Sequence, residues 1–259
     1  MDMKISILTP SYNSAKYIQR AIESVLLQNY KNWVHIIMDG ESKDGTLEVL
    51  QAYPHVKYVS EPDRGQTDAM NKAFKLATGD LIIYLNADDE LTPGLLDTVS
   101  KEFDKDPSID MIVSDLLINR LGTMEISRPS ITLYSILQHQ KFKYPLNPVA
   151  YAYRKNLQEK IGAFPISNHF TMDYWFLLRA YRIGKIKKVD HVFGTYHVDG
   201  SNKSSDTQRS INELRKTRNE FLLEYAYTPK VFFYLFRKLP FIQHIESTVK
   251  KYIFKPARA

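Results

Sequence analysis

Asp88 and Asp89 stand side by side in Asn86-Ala87-Asp88-Asp89-Glu90, directly after the apolar run Leu81–Leu85. Adjacent carboxylates at the end of a buried strand repel each other and lose water, a cost that needs an offset. A bound divalent cation supplies it. Three more polar turns hold residue types that could contact a ligand. They are Thr9-Pro10-Ser11-Tyr12-Asn13, Asp39-Gly40-Glu41-Ser42-Lys43-Asp44-Gly45-Thr46, and the loop from Glu61 to Lys72. Asp44 reads as a turn former and helix cap, whereas Asp39 reads as a ligand carboxylate. Arg64, Asp68, Asn71 and Lys72 crowd one carboxylate, one amide and two cations together, although surface solvation explains Lys72 equally well. Asp173 opens a helical pattern, where capping alone would account for it.

These turns need elements to position them. Short apolar runs at Ile5–Thr9, Trp33–Met38, Val56–Ser60, Leu81–Leu85 and Met111–Ser114 read as buried strands. Helical patterns separate them. One, with Ile18, Ile22, Val25 and Leu26, is capped by Asn13 or Ser14; another is opened by Thr92 and Pro93. Strand and helix alternating in this way predict an α/β fold, a doubly wound, mainly parallel sheet with helices on both faces. Ligands of such sheets bind beyond the carboxyl ends of the strands, where all four turns fall. Further on, a helix is expected over Ile131–Gln138, a strand over Val149–Tyr153 and a helix over Lys155–Ile161, stopped by Gly162. Asp173 then begins a helix with Tyr174, Leu177, Leu178 and Tyr181 on its apolar face, and residues 206–227 read as a charged helix.

Length and composition narrow the class. The chain has 259 residues, 44% hydrophobic and 25% charged, which fits one large domain or two small ones and excludes collagen-like, coiled-coil and wholly disordered chains. With no cysteine, any metal must use oxygen or histidine nitrogen. The longest uncharged stretch, Pro129–Gln140, is shorter than the roughly 20 apolar residues that cross a bilayer. The start lacks a secretory pattern, so the expectation is a cytoplasmic protein, soluble or peripheral. From Thr228 onward seven basic residues face the single Glu246, so this tail carries the whole net charge of +6. A neutral body with a basic tail does not suit a nucleic-acid surface.

The segments TPSYN, MDGESKDGT, EPDRGQTDAMNKA, GDLIIYLNADDE and TMDYWFLLRA, in this order and spacing, resemble the family 2 glycosyltransferases of the GT-A fold, in particular those of bacterial polysaccharide and O-antigen synthesis. The resemblance covers roughly residues 4 to 205. It implies a catalytic domain over 1–205, with a nucleotide-binding half (1–115) and an acceptor half (116–205), followed by a helical C-terminal extension (206–259). The implied reaction moves a sugar from a nucleotide-diphosphate donor, usually a UDP-sugar, to a glycan or lipid-linked saccharide, with inversion and with Mn2+ or Mg2+.

By the same resemblance Thr9, Pro10 and Tyr12 contact the nucleotide, Asp39 its base, and Arg64 and Asp68 the diphosphate and ribose side. The family's DxD-type motif falls on Asn86-Ala87-Asp88-Asp89, with Asn86 replacing the first acid. That leaves Asp88 on the donor and metal and makes Asp89 the direct metal ligand. His197 falls where some relatives place a third ligand, and Asp173 falls on the catalytic base, kept ionised by the helix dipole. The aromatic, basic tail is expected to lie on the anionic inner face of the plasma membrane as an interfacial helix pair broken at Pro240, with packing of Phe232, Phe236 and Phe241 on the body as the alternative. Rival readings are a catalytically silent sugar-nucleotide-binding subunit and a sugar nucleotidyltransferase. The nucleotidyltransferase needs a glycine-rich loop after the first strand, and the dehydrogenases need G-x-G-x-x-G; neither is present.

Overall fold

The computed structural model describes residues 3–138, 144–200, 207–236 and 238. Four strands make the parallel half of a single mixed sheet, in the order β3 (Lys57–Ser60), β2 (Trp33–Asp39), β1 (Ile5–Ser11), β4 (Leu81–Tyr84). Beyond β4 the sheet is mixed. β8 (Tyr151–Arg154) runs antiparallel to β4 and to β6 (Met111–Arg120), β9 (Ile186–Val198) lies parallel to β6, and β5 (Glu90–Leu91) closes the order antiparallel to β9. β7 (Thr123–Ser127) forms a hairpin with the far end of β6.

Side chains alternate between the two faces, as strands require, and each face has its own core. Leu8, Ile36, Ile82, Tyr84 and Val113 point to the face covered by α3 (Gln66–Leu76), α5 (Leu133–Leu137), α6 (Lys155–Ile161) and α7 (Met172–Ile183). Ile5, Ile7, Leu81, Ile83 and Ile112 point to the other, covered by α1 (Ile18–Leu26) and α4 (Leu95–Lys105). Full burial of each such aliphatic side chain is worth about 1.5–3 kcal/mol. A smaller cluster joins α1 to α2 (Thr46–Gln51) through Ile18, Ile22, Ile37 and Leu50. Helices therefore cover both faces of an α/β sheet whose continuous parallel run of four strands ends at β4, with one further parallel pair, β6 and β9, beyond it.

Two expected caps are absent. Neither Asn13 nor Ser14 caps α1 through its side chain; the Ser14 carbonyl instead accepts from Tyr17 and Ile18 N–H. α4 begins at Leu95, and the Thr92 hydroxyl donates to the Val192 carbonyl of β9 rather than to the helix. Thr132 does cap α5, its hydroxyl accepting from Ser135 N–H at 3.1 Å.

The extension begins with α8 (Thr207–Glu224), which packs on α7, and continues into α9 (Pro229–Phe236). On α9, Val231 and Tyr234 are buried in the α7-side core, and the Tyr234 hydroxyl donates to Leu137 O at 3.3 Å, while Phe232 is 53% exposed. This stretch of the tail thus packs on the body through one side. The side chain of Phe236 and the segment around Pro240 and Phe241 lie outside the described residues. Among the described residues no helix is long and apolar enough to cross a membrane.

Candidate functional site

The carboxyl ends of β1, β2 and β4, the start of α3, the far end of β9 and the start of α7 converge on one site. Asp39 ends β2 and is 1% exposed. Its Oδ2 accepts from Ser42 N–H at 3.0 Å and Ser60 Oγ at 2.7 Å, and its Oδ1 accepts from the hydroxyls of Ser42 and Ser11. Four donors fill the capacity of one carboxylate. Three of them are hydroxyls that can rotate away, so a ligand N–H can replace one without moving the backbone.

Thr9 and Pro10, expected in the first loop, lie within β1 and are buried. The Thr9 hydroxyl is engaged by His35 Nε2 at 2.9 Å, and burial holds that imidazole neutral, pushing it down to about 3. The Thr9 side chain thus faces the interior, towards β2, and not the outer end of the strand. Tyr12, 66% exposed, projects from the turn after β1, where Asn13 is exposed as well.

Asp68 lies in the first turn of α3, nearly buried, and accepts from Arg64 N–H at 3.1 Å and Arg64 Nε at 3.4 Å. Burial pushes its carboxyl up, but the hydrogen bonds and charge of Arg64, with Lys72, outweigh this and leave it below the usual range. Asp68 thus orders the loop that presents Arg64, whose side chain is 71% exposed. Gly65 between them adopts φ +101, a conformation that side chains other than glycine rarely take, with His169 directly over its Cα.

The Asp88–Asp89 pair separates within the turn that follows β4, closed by Asp89 N–H donating to the Asn86 carbonyl at 3.1 Å, with Asp88 half-buried and Asp89 inward. Asp89 is 0% exposed. It accepts from Asn147 Nδ2 at 2.7 Å, Asn86 Nδ2 at 3.0 Å and the His197 N–H at 3.1 Å, and burial beside Asp88 pushes its carboxyl well above the usual range. Asp89 is an internal brace that ties the end of β4 to β9 and to the segment before β8, and the direct metal contact that the resemblance implies for it would require it to leave these donors. Asp88 is half-buried, and its backbone carbonyl accepts from Arg20 Nη2 at 2.7 Å.

His197 does not face Asp88 as a free ligand. Its Nε2 lies 2.6 Å from Glu90 Oε1, and Glu90 in turn pairs with Arg20 Nε at 3.0 Å. Among the described residues no three His, Asp or Glu side chains already form a metal cage. One partly exposed carboxylate still suits Mg2+ or Mn2+, which commonly take one or two protein carboxylates and complete their shell with water and substrate phosphate. Asp88 fits that part; buried Asp89 does not.

Asp173 is the second residue of α7, and Thr171 holds the cap position. Asp173 Oδ1 accepts from Tyr174 N–H at 2.8 Å. The residue keeps a half-buried opening to solvent, yet burial outweighs the backbone hydrogen bonds from Tyr174 and its own N–H and raises its carboxyl to about 6. The helix dipole therefore does not hold it at an ordinary carboxylate value, although it is still mostly ionised at pH 7.

Two consecutive residues of α3 join the halves of the site. Gln66 Nε2 donates to Asn86 Oδ1 at 3.1 Å, two residues before Asp88, and Thr67 Oγ1 donates to the Asn168 carbonyl at 2.6 Å, five residues before Asp173. One turn further, Asn71 exchanges two hydrogen bonds with the backbone of Phe164, at 2.8 and 2.9 Å. The sequence singled out none of Arg20, Gln66, Thr67, Asn147 and Asn168 for these roles. Their partners lie 20 to 101 residues away, and no local spacing reports such pairs.

Residues 6–172 match the glycosyl transferase family 2 domain. The chain is 26% identical over 88% of its length to an uncharacterized glycosyltransferase of Nostoc, spanning 79% of that protein, and 30% identical over 77% to a chondroitin synthase of Escherichia coli, spanning 30% of it. It spans only 22% of the chondroitin synthase of Pasteurella multocida, to which it is 29% identical. In fold it resembles S. aureus TarS 1-349 in complex with UDP-GlcNAc, with a TM-score of 0.70 at 20% identity, covering 88% of this chain and 68% of TarS 1-349. The mannosyltransferase PcManGT of Pyrobaculum calidifontis, in complex with GDP-Man and Mn2+, gives 0.58 at 16% identity over 98% of this chain and 81% of that one. With most of the α/β sheet and the start of α7 inside the matched region, the chain belongs to glycosyl transferase family 2.

Proposed function

We propose that this glycosyltransferase moves a sugar from a UDP-sugar to a hydroxyl of a glycan or lipid-linked saccharide in cell-surface polysaccharide synthesis, inverting the anomeric carbon. The observation that carries this reading is the pair Gln66 and Thr67, which ties the loop holding Asp88 and the segment leading to Asp173, a half-buried carboxylate of raised pKa, to a single helix start. Two carboxylates in unlike environments suit unlike tasks.

Asp173 accepts the acceptor hydroxyl's proton as that oxygen attacks, and a value near 6 makes it a better base than an ordinary carboxylate while leaving it mostly ionised at neutral pH. Asp39 receives a base N–H in place of one serine hydroxyl, Tyr12 covers the nucleoside, and Arg64 faces the diphosphate. Mn2+ or Mg2+, held by Asp88 with the donor phosphates, would supply positive charge against the departing diphosphate. His197 would join it only by releasing Glu90. The names of the relatives, chondroitin synthases and a putative teichuronic acid glycosyltransferase of Bacillus subtilis among them, support a polysaccharide product, and the UDP and UDP-GlcNAc complexes of TarS support uridine. A lipid-linked acceptor would be met at the inner face of the plasma membrane, where the basic tail adds attraction to anionic lipid.

The test is a panel of UDP-, GDP- and dTDP-sugars incubated with the purified protein, Mn2+ and saccharide acceptors. Release of UDP from a UDP-sugar, lost in Asp88→Ala, is expected, with the product's anomeric coupling constant opposite to the donor's. No turnover of any donor, or retention of configuration, would overturn the reading.

A further inference from the structure

We propose that Thr217, on the C-terminal helix α8, is a positioning residue for Asp173. The inference rests on the assignment of Asp173 as the base. Thr171, the cap residue of α7, lies two residues before Asp173, and its hydroxyl stands 2.7 Å from the hydroxyl of Thr217. Both residues are buried, at 3% and 4% exposure.

The direction of the chain of bonds follows from counting protons. Thr171 Oγ1 donates its single hydrogen to Asn168 Oδ1 at 3.1 Å, so towards Thr217 it can only accept, and Thr217 donates. Asn168 Oδ1 also accepts from Thr171 N–H at 2.8 Å and Phe170 N–H at 3.3 Å, and the Asn168 carbonyl accepts from Thr67 on α3. A continuous relay thus runs from α8 through the cap of α7 and the loop before it to the first turn of α3. α8 is pinned in register by two further contacts with α7 and the loop before it: the Arg179–Glu224 ion pair, and Arg209 over the Phe170 ring at 4.1 Å from its centroid.

The segment matching the family ends at residue 172, so this brace comes from outside it. A base must meet the acceptor oxygen within hydrogen-bond reach, and a displacement of about 1 Å can cost two orders of magnitude in rate. Because the relay grips the backbone of residues 168–171, its loss moves Asp173 while leaving the Asp39 and Asp88 sides of the site in place.

The experiment compares wild type, Thr217→Val, Thr217→Ser and Asp173→Asn in the full chain, measuring kcat and donor KM for transfer together with thermal melting. Valine keeps the volume of threonine but has no donor. Thr217→Val is expected to lower kcat about ten- to a hundredfold with donor KM unchanged and melting within a few degrees of wild type, and Thr217→Ser to restore kcat. Wild-type kcat in Thr217→Val, failure of serine to restore it, or loss of kcat only in step with melting would overturn the positioning role while leaving Asp173 as the base if Asp173→Asn is inactive. An active Asp173→Asn would overturn both.

Discussion

At the scale of single residues, the site divides its carboxylates by exposure. Asp88→Ala should abolish transfer and change stability by no more than about 0.5 kcal/mol, because it removes a half-buried surface group. Asp89→Ala should instead lower unfolding free energy by about 2–3 kcal/mol in urea titrations, since Asn86, Asn147 and His197 N–H would each lose an acceptor in a buried place. Equal stability of the two variants would defeat this division. For Asp173 the sign of the pH effect is fixed by its raised carboxyl, from 3.8 to about 6. Folding favours its protonated form, so its stabilising share is full below pH 4 and is lost as pH rises through 6. Asp173→Asn should therefore melt higher than wild type at pH 7, by about 1–3 kcal/mol of stability, with no gain at pH 4, while transfer is lost. In the wild type, kcat/KM should fall about tenfold per pH unit below 6, read from initial rates. The sequence made this pair of acids visible as types: Asp88-Asp89 after an apolar run, Asp173 before a helical one. It could not say which of two adjacent acids faces inward, because that depends on Asn147 and His197 arriving from 58 and 108 residues away.

At the scale of elements, α3 joins the two halves of the site. Its Asn71 satisfies both backbone groups of Phe164, so Asn71→Ala should cost about 2 kcal/mol and raise proteolytic cleavage of residues 162–171, measured by limited digestion. Unchanged digestion would mean the clasp is incidental. β1, β2 and β4 were legible because their apolar residues serve two cores in strict alternation. β9, a 13-residue strand, was missed: Lys187, Lys188, Asp190 and His191 break the alternation, and its half-buried residues give neither a continuous apolar run nor a period of two. Pairing with β6, which shifts register twice on the way, holds it in place. β5 has two residues and no pattern of its own; Gly194 lets it approach β9, since a Cβ there would collide with the Glu90 carbonyl and Val149. The misplaced caps of α1 and α4 also come from partners outside the helix, for Thr92 spends its hydroxyl on β9, while Asn13 Oδ1 accepts from Lys43 N–H.

At the scale of the whole molecule, the basic tail can now be divided. Removing everything from Thr228 would take away Val231 and Tyr234 and so strip a cover from the α7-side core, whereas a cut after Lys238 leaves them in place. The shorter deletion should keep melting and activity on soluble acceptors and reduce sedimentation with anionic vesicles severalfold, an effect that salt should mimic in the full chain. Equal pelleting of both forms would remove the membrane role. The grip of Thr67 and Asn71 on residues 164–168 has a consequence for engineering. Donor and acceptor halves are not exchangeable cassettes: a hybrid cut near residue 115 would pair one parent's helix with another's loop. Hybrids that carry α3 along with residues 116–205, leaving only β1 to β3 from the second parent, should be the ones that keep a working base.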